Sequence, residues 1–295
     1  MIPKRFDYFA PSNLEEAIEF LSQNRDSKVL AGGHSLIPML KFHLIDTKCL
    51  VDLNRLNGME YVKEVGNQIR IGALTRYATI ESDGIIQSRF PALSDAVAHI
   101  GDPLVRNMGT VGGNICHCDV ANDLPAVMLA LDAVLIAKGP KGQRAIPIQD
   151  FLVDTFQTSL AESEVLIEIQ LPFSDLKTGN AYAKLERHVG DFPIVGVASQ
   201  LHIDDQGTCR RVGLGLTAVG PKALKPESAE RALLGKRITD VEIHEAAGLA
   251  ANEAKPVSDL RGSVEYKKEM IRIFAIRSIR AALNRAIGAK RNVAA

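Results

Sequence analysis

Apolar positions along the chain alternate between helical and strand periodicities, and the order of these segments predicts three consecutive lobes. Leu14, Ala17, Ile18 and Leu21 fall on one helical face behind Ser12-Asn13, residues suited to a helix start, so a first helix is expected to run to about Ser22. The apolar run Val29-Leu30-Ala31 stops at Gly32-Gly33, and Leu36, Ile37, Met39 and Leu40 then form a compact segment: strand, glycine turn, short helix. Cys49-Leu50-Val51-Asp52-Leu53 reads as another buried strand, of the unbroken apolar kind that suits parallel pairing. Residues 1–57 are therefore expected to form a small α/β lobe.

A second lobe is expected over residues 58–173. Tyr61-Val62 and Gln68–Ala73 flank the turn pair Gly66-Asn67, a hairpin signal. Helical pieces around Leu93–Ile100 and Leu124–Leu131 and strands at Ala133–Ala137 and Glu164–Leu171 complete it. The polar stretch from Ser174 to Asn180 marks a boundary, after which residues 174–295 read as strands Ala181–Glu186, Ile194–Ile203 and Cys209–Val219. Helices at Ala229–Leu234, Glu242–Ala251 and Val264–Ile287 follow, with a polar and alanine tail after Ala289. The expected class is α+β, closed by a domain of antiparallel sheet plus helices.

Composition narrows the function. The 295 residues are 46% hydrophobic and 24% charged, values of an ordinary folded protein. Thirty-five basic and 35 acidic residues cancel, so no global field favours nucleic acid or an anionic membrane. The longest apolar stretch, Leu124 to Ala137, is interrupted by Asp132 and falls short of the ~18–20 residues of a membrane span. Four irregularly spaced cysteines make no disulfide framework, and with no secretory segment at the amino end a cytoplasmic location is expected.

Two glycine-rich turns carry the candidate chemistry. In Ala31-Gly32-Gly33-His34-Ser35-Leu36 a strand ends and successive backbone N–H groups can face a ligand before a helix begins. Gly109-Thr110-Val111-Gly112-Gly113-Asn114 is the second, followed by Asn122-Asp123-Leu124-Pro125-Ala126, a helix-start pattern. Either turn alone reads as simple chain reversal. Together, and without the Gly-x-Gly-x-x-Gly or P-loop spacing, they point to one dinucleotide held between two lobes by a different geometry.

The chain resembles the FAD-binding medium subunit of the molybdenum hydroxylases, the xanthine dehydrogenase and aerobic carbon monoxide dehydrogenase family. The resemblance rests on Ala31-Gly32-Gly33-His34-Ser35-Leu36-Ile37-Pro38 and Thr110-Val111-Gly112-Gly113-Asn114, with Gly190-Asp191-Phe192 and Asp259-Leu260-Arg261-Gly262 as later landmarks. It implies a two-lobed PCMH-type FAD-binding fold with a C-terminal domain, and FAD as cofactor. It further implies that Ala31, Gly32, Gly33, His34, Ser35 and Leu36 line one pyrophosphate loop and Thr110, Gly112, Gly113 and Asn114 the other. Ile100 and Gly101 would flank the flavin ring, Val165 and Leu166 the adenine, Lys184 would stand near the cofactor, and Phe192 would cover the ring. Asp123 reads either as a helix cap or as a ligand of ribityl or ribose hydroxyls. His34 reads as a positioning residue. The implied partners are a large molybdopterin-binding subunit and a small subunit with two two-iron two-sulfur clusters, from which this chain would take electrons for an external acceptor.

The remaining motifs add no second chemistry. Cys116-His117-Cys118 lacks the further Cys or His that a zinc or cluster site needs, and i, i+2 residues on an extended segment point apart; no metal site is expected. Gly213-Leu214-Gly215-Leu216 reads as a strand packed closely on a neighbour, and the arginines of the last helix as a solvated face or a subunit contact. The competing functions are a self-contained FAD-dependent oxidase or dehydrogenase and an assembly subunit with a degenerate flavin site.

Overall fold

The computed structural model describes residues 2–173 and 177–288. Ser174, Asp175 and Leu176 of the expected boundary, and the tail from 289, lie outside the described residues. The first lobe comprises β1 (Asp7–Phe9), α1 (Leu14–Gln23), β2 (Ser27–Leu30), α2 (Leu36–Lys41) and β3 (Cys49–Asp52). Asn13 caps α1 by accepting from the Glu16 N–H, and Ala17, Ile18 and Leu21 bury its apolar face. The strands lie in the order β1-β3-β2, all parallel, so their carboxyl ends gather at one edge. In open parallel sheets that edge is where ligands sit.

The second lobe begins with β4 (Val62–Val65) and β5 (Gln68–Gly72), joined at Gly66-Asn67, where Gly66 takes a φ of 59°. Helices α3 (Tyr77–Ser82), α4 (Gly84–Arg89), α5 (Pro91–Ala98), α6 (Pro103–Met108), α7 (Val111–His117) and α8 (Leu124–Ala130) follow. The lobe closes with β6 (Val134–Gly139), β7 (Gly142–Pro147), α9 (Ile148–Phe151), β8 (Leu152–Asp154), β9 (Gln157–Thr158) and β10 (Val165–Pro172). Its main sheet is antiparallel in the order β4-β5-β10-β6-β7.

The C-terminal domain is an antiparallel meander of β11 (Lys177–Leu185), β12 (Val195–Ile203) and β13 (Cys209–Thr217), followed by α10 (Glu227–Leu233), α11 (Asp240–Glu253) and α12 (Val264–Ala286). Strand β12 is buried at every position because both faces of its sheet are covered, one by α12 and the other by α8. Gly213 and Gly215 make the second contact: a Cβ on either would stand about 2 Å from the carbonyl oxygen of Ala130 or Ala126. These glycines serve close packing, as the alternation in the sequence indicates.

One segment differs in kind from its sequence pattern. Residues 111–117, read as part of a turn and then extended, are helical. Two glycines weaken helix propensity, but Thr110 caps the first turn by accepting from the Gly113 N–H at 3.1 Å. Gly112 packs so tightly on Ala73 that a Cβ would stand 2.6 Å from the Ala73 Cβ and carbonyl oxygen. Tertiary packing therefore selects glycine inside a helix. Cys116 and Cys118 consequently lie at a helix end, with Cys118 left-handed at a φ of 52°, and not on an extended strand.

Candidate functional site

Loop Gly32–Ser35 leaves the carboxyl end of β2. Gly33 adopts a φ of +77°, a turn that glycine makes without penalty. Among the described residues, the N–H groups of Gly32, Gly33, His34 and Ser35 donate to no protein acceptor. His34 and Ser35 are exposed, and Ser35 makes no capping bond to α2. A run of unspent N–H groups around a left-handed residue is a concave donor set of the kind that binds phosphate oxygens.

The second glycine segment has spent its donors. The N–H of Val111 goes to Thr75 O, that of Gly112 to Ala73 O, that of Gly113 to the Thr110 hydroxyl and that of Asn114 to Thr110 O. What it offers is a bare surface at Gly113 and the Asn114 side chain, whose Oδ1 is buried and finds no partner among the described residues. The two segments touch: a Cβ on Gly113 would lie 3.5 Å from that of Ala31, and one on Gly32 would strike the Met108 carbonyl and Gly109.

A polar brace fixes this contact. Asn54 Nδ2 donates to Ala31 O at 2.7 Å and to Asp52 Oδ1 at 2.6 Å, while Arg76 donates to Asn54 Oδ1 at 2.7 Å and to Met108 O. The Tyr8 hydroxyl donates to the other Asp52 oxygen at 2.6 Å. Burial pushes the Asp52 carboxyl up, but the Tyr8 and Asn54 donors outweigh it and hold it below the usual carboxylate range. Asn54 and Arg76 are absent from the sequence-based set; the available signal was polar Asp52 and Asn54 at the end of an apolar parallel strand.

A second cluster joins the second lobe to the C-terminal domain. Asp123 caps no helix bond; its Oδ1 accepts from the Tyr182 hydroxyl at 2.5 Å and its Oδ2 faces Lys184 Nζ at 3.3 Å. Lys184 also donates to His99 O at 3.0 Å and pairs with Glu186 Oε2 at 3.1 Å, and Glu186 Oε1 meets His99 Nδ1 at 3.2 Å. Burial pushes the Asp123 carboxyl up to about 6, against the pull of Lys184 and Tyr182. Tyr182, Lys184 and Glu186 alternate along β11 and its end, so one face of the strand delivers all three.

Ile100 and Gly101 sit beside this cluster, their carbonyls held by Arg106 at 3.3 Å each. Gly190 packs on Gly101, which brings exposed Phe192 to the same side, with the Arg261 guanidinium 5.7 Å from its ring centre. Val165 and Leu166 are buried in the main core at the start of β10, next to α7. Leu36 opens α2. The structure thus gathers the two glycine segments at one junction and Asp123, Lys184, Ile100 and Gly101 at another, with Gly112 turned into the interior. A cavity of about 610 Å³ lies elsewhere, lined by Asn13, Tyr61, Arg70 and Glu168 and by none of the glycine-segment residues.

Cys116, His117 and Cys118 hold no metal arrangement: among the described residues no three His, Cys, Asp or Glu side chains gather into a metal-binding group. Burial pushes the Cys116 thiol up to about 12, and Cys118 Sγ contacts Asp154 O at 3.3 Å. The arginines of α12 are engaged within the chain, Arg272 with Glu269 and Arg277 over the Phe274 ring on the same helix, Arg280 with Asp240 of α11 and Arg285 with Asp95 of α5. Among the described residues no helix is long and apolar enough to cross a membrane.

Comparison with known proteins adds an identity to this geometry. Residues 4–174 match the FAD binding domain in molybdopterin dehydrogenase, and residues 180–282 match the CO dehydrogenase flavoprotein C-terminal domain. The carbon monoxide dehydrogenase medium chain of Hydrogenophaga pseudoflava is 40% identical over 96% of this chain and 98% of its own. The 6-hydroxypseudooxynicotine dehydrogenase complex subunit alpha of Paenarthrobacter nicotinovorans is 36% identical, covering 97% of each chain. The structure of carbon monoxide dehydrogenase from Hydrogenophaga pseudoflava which lacks the Mo-pyranopterin moiety superposes with a TM-score of 0.93 at 41% identity, over 97% of this chain and 99% of that one. With both domains matched in order and almost the whole length covered, the chain belongs to the molybdenum hydroxylase family as an FAD-binding oxidoreductase subunit.

Proposed function

We propose that this chain is the electron relay of a molybdenum hydroxylase complex. A large molybdopterin-binding subunit oxidises the substrate, a small subunit with two two-iron two-sulfur clusters passes the electrons here, and this chain hands them to an external acceptor. The observation that carries the reading is the unspent donor loop Gly32–Ser35 braced against the second glycine segment.

The residues fit FAD. Its pyrophosphate needs several donors and no bulky side chain, which Gly32, Gly33, His34 and Ser35 provide. The orphaned Asn114 Oδ1 calls for a donor, and a ribityl or ribose hydroxyl is one. Bound FAD supplies a carrier that exchanges electrons singly with a cluster and in pairs with an acceptor. The protein's part is to hold and enclose it. Asn54 and Arg76 keep the two glycine segments in register, and Arg106 and Lys184 fix the carbonyls of residues 99–101. Phe192 has an exposed ring suited to cover a flat face, and Val165 and Leu166 supply apolar ground.

Relatives named for carbon monoxide and for 6-hydroxypseudooxynicotine match this subunit along nearly its whole length, which supports placing substrate choice in another subunit. Four free thiols are in keeping with a reducing compartment, the cytoplasm. The test is anaerobic bleaching of the isolated holo-subunit. Reduced cluster subunit should bleach it, and the organic or gaseous substrate of the whole complex should not. Bleaching by that substrate alone, at the rate of the complex, would overturn the relay in favour of a self-contained flavoenzyme.

A further inference from the structure

The Asp123 cluster is a line of titratable groups that runs from a half-exposed end at His99 to a buried end at Asp123. The Lys184 side chain has no exposed surface and that of Glu186 is 14% exposed, whereas the outer member, His99, is 47% exposed. At the inner end the Asp123 side chain keeps 7% and adjoins the second glycine segment, because neighbouring Asn122 donates to Asn114 O at 2.9 Å. Successive members stand 3.2, 3.1 and 3.3 Å apart. His99 and Glu186 are hydrogen-bonded, as are Lys184 and Asp123, whereas Lys184 and Glu186 Oε2 form an ion pair without hydrogen-bond alignment, so that proton transfer there needs a small reorientation of the ammonium. A purely structural ion pair has no need of a third and fourth titratable partner leading to solvent.

We propose that His99, Glu186, Lys184 and Asp123 form a proton relay from solvent to the cofactor site. The proposal rests on the placement of FAD beside Asp123. Electrons that arrive singly from a cluster bring no protons, so at least one proton must follow each pair. Asp123 gives its proton to the bound group and takes one from Lys184 Nζ; His99 passes a proton to Glu186, which hands it on to Lys184, and His99 takes its replacement from water. Only O–H and N–H bonds are exchanged, and the net change is one proton from solvent per electron pair. The raised position of the Asp123 carboxyl lets it carry a proton near neutrality. The Tyr182 hydroxyl bonded to Oδ1 holds the carboxyl so that Oδ2 faces Lys184.

The test uses the full-length holo-protein, reduced by a light-driven one-electron donor in weak buffer with a pH-indicator dye, so that proton uptake is read beside flavin bleaching. His99→Gln should slow uptake about tenfold or more while FAD affinity stays within about twofold, and added imidazole should restore the rate. Glu186→Gln should slow uptake without imidazole rescue, because the inner link is missing. Uptake in His99→Gln as fast as in the wild type would overturn the relay. The FAD dissociation constant of Asp123→Asn separates the two ideas: if it is unchanged, the cofactor placement fails, and if it is weakened while His99→Gln takes up protons normally, only the relay fails.

Discussion

Removing the Asn54 side chain tests whether the brace, and not the glycines alone, prepares the site. Asn54→Ala deletes three contacts: the bond to Ala31 O, the bond to Asp52 and the acceptor for Arg76. Hydrogen bonds of this kind contribute about 1 kcal/mol each and those to a charged group about 1.5–3, a gross loss of about 4–7 kcal/mol that water restores in part at this half-buried place, so the fold should lose about 2–4 kcal/mol. Only the Ala31 bond tethers the donor loop directly. Its loss, about 1 kcal/mol of ordering that FAD must then supply, predicts about fivefold weaker FAD binding. Arg76→Lys should act in the same direction, since one ammonium does not span Asn54 and Met108 O as a planar fork does. The assay is titration of apo-protein by quenching of flavin fluorescence, with urea melts of the apo form alongside. If Asn54→Ala shifts the melt but leaves the FAD dissociation constant within twofold of wild type, the brace is structural only and the argument fails.

Gly33→Ala, at a left-handed residue in the donor loop, should weaken FAD retention with about 1 kcal/mol of cost to the apo fold, whereas Gly112→Ala, wedged on Ala73, should destabilise apo and holo forms alike; the check is paired melting with and without FAD. His202 is buried and lowered to about 4, chiefly by burial and then by Arg211, so folding loses about 3 kcal/mol as pH falls from the unfolded value of 6.5 through 4. His202→Gln should flatten that loss in urea melts across the range. Asp123 has the opposite sign: its carboxyl is raised from 3.8 to about 6, so its contribution is complete below about 4 and about 3 kcal/mol is lost as pH rises through 6. Asp123→Asn should therefore gain on the wild type as pH rises through that window in apo-protein melts.

What was readable in the sequence follows the range of the forces involved. Helix α1 was legible because its cap, first-turn acids and apolar face are all local to Ser12–Leu21. The β4–β5 hairpin was legible from Gly66-Asn67. Strand β1 was not, since Asp7–Phe9 has no buried apolar run and is strand only because β3 offers it a parallel ladder. Helix α7 departs from its sequence pattern because local propensity argues against two glycines, and the Ala73 surface that demands Gly112 lies 39 residues earlier. The site divides in the same way. The glycine turns announce themselves, but the Asn54–Arg76 brace joins residues 22 apart with no shared pattern.

The C-terminal domain contributes more to the site than its place after the second lobe suggests. Strand β11 serves two interiors at once: Ala181, Ala183 and Leu185 pack with the C-terminal helices, while Asn180, Tyr182, Lys184 and Glu186 turn to the second lobe. Asn180 accepts from the Ala92 N–H and donates to Arg89 O, so it secures the turn between α4 and α5. Thr217 on β13 donates to the carbonyls of Val120 and Asn122, immediately before Asp123. The residues leading into α8 and the carboxylate that begins it are thus positioned from the third sheet. Removing the C-terminal domain would uncover α8 and leave Asp123 without the hydroxyl and the ammonium that face it. The two matched domains therefore depend on each other by packing on α8 and through the bonds that Tyr182 and Lys184 make to Asp123.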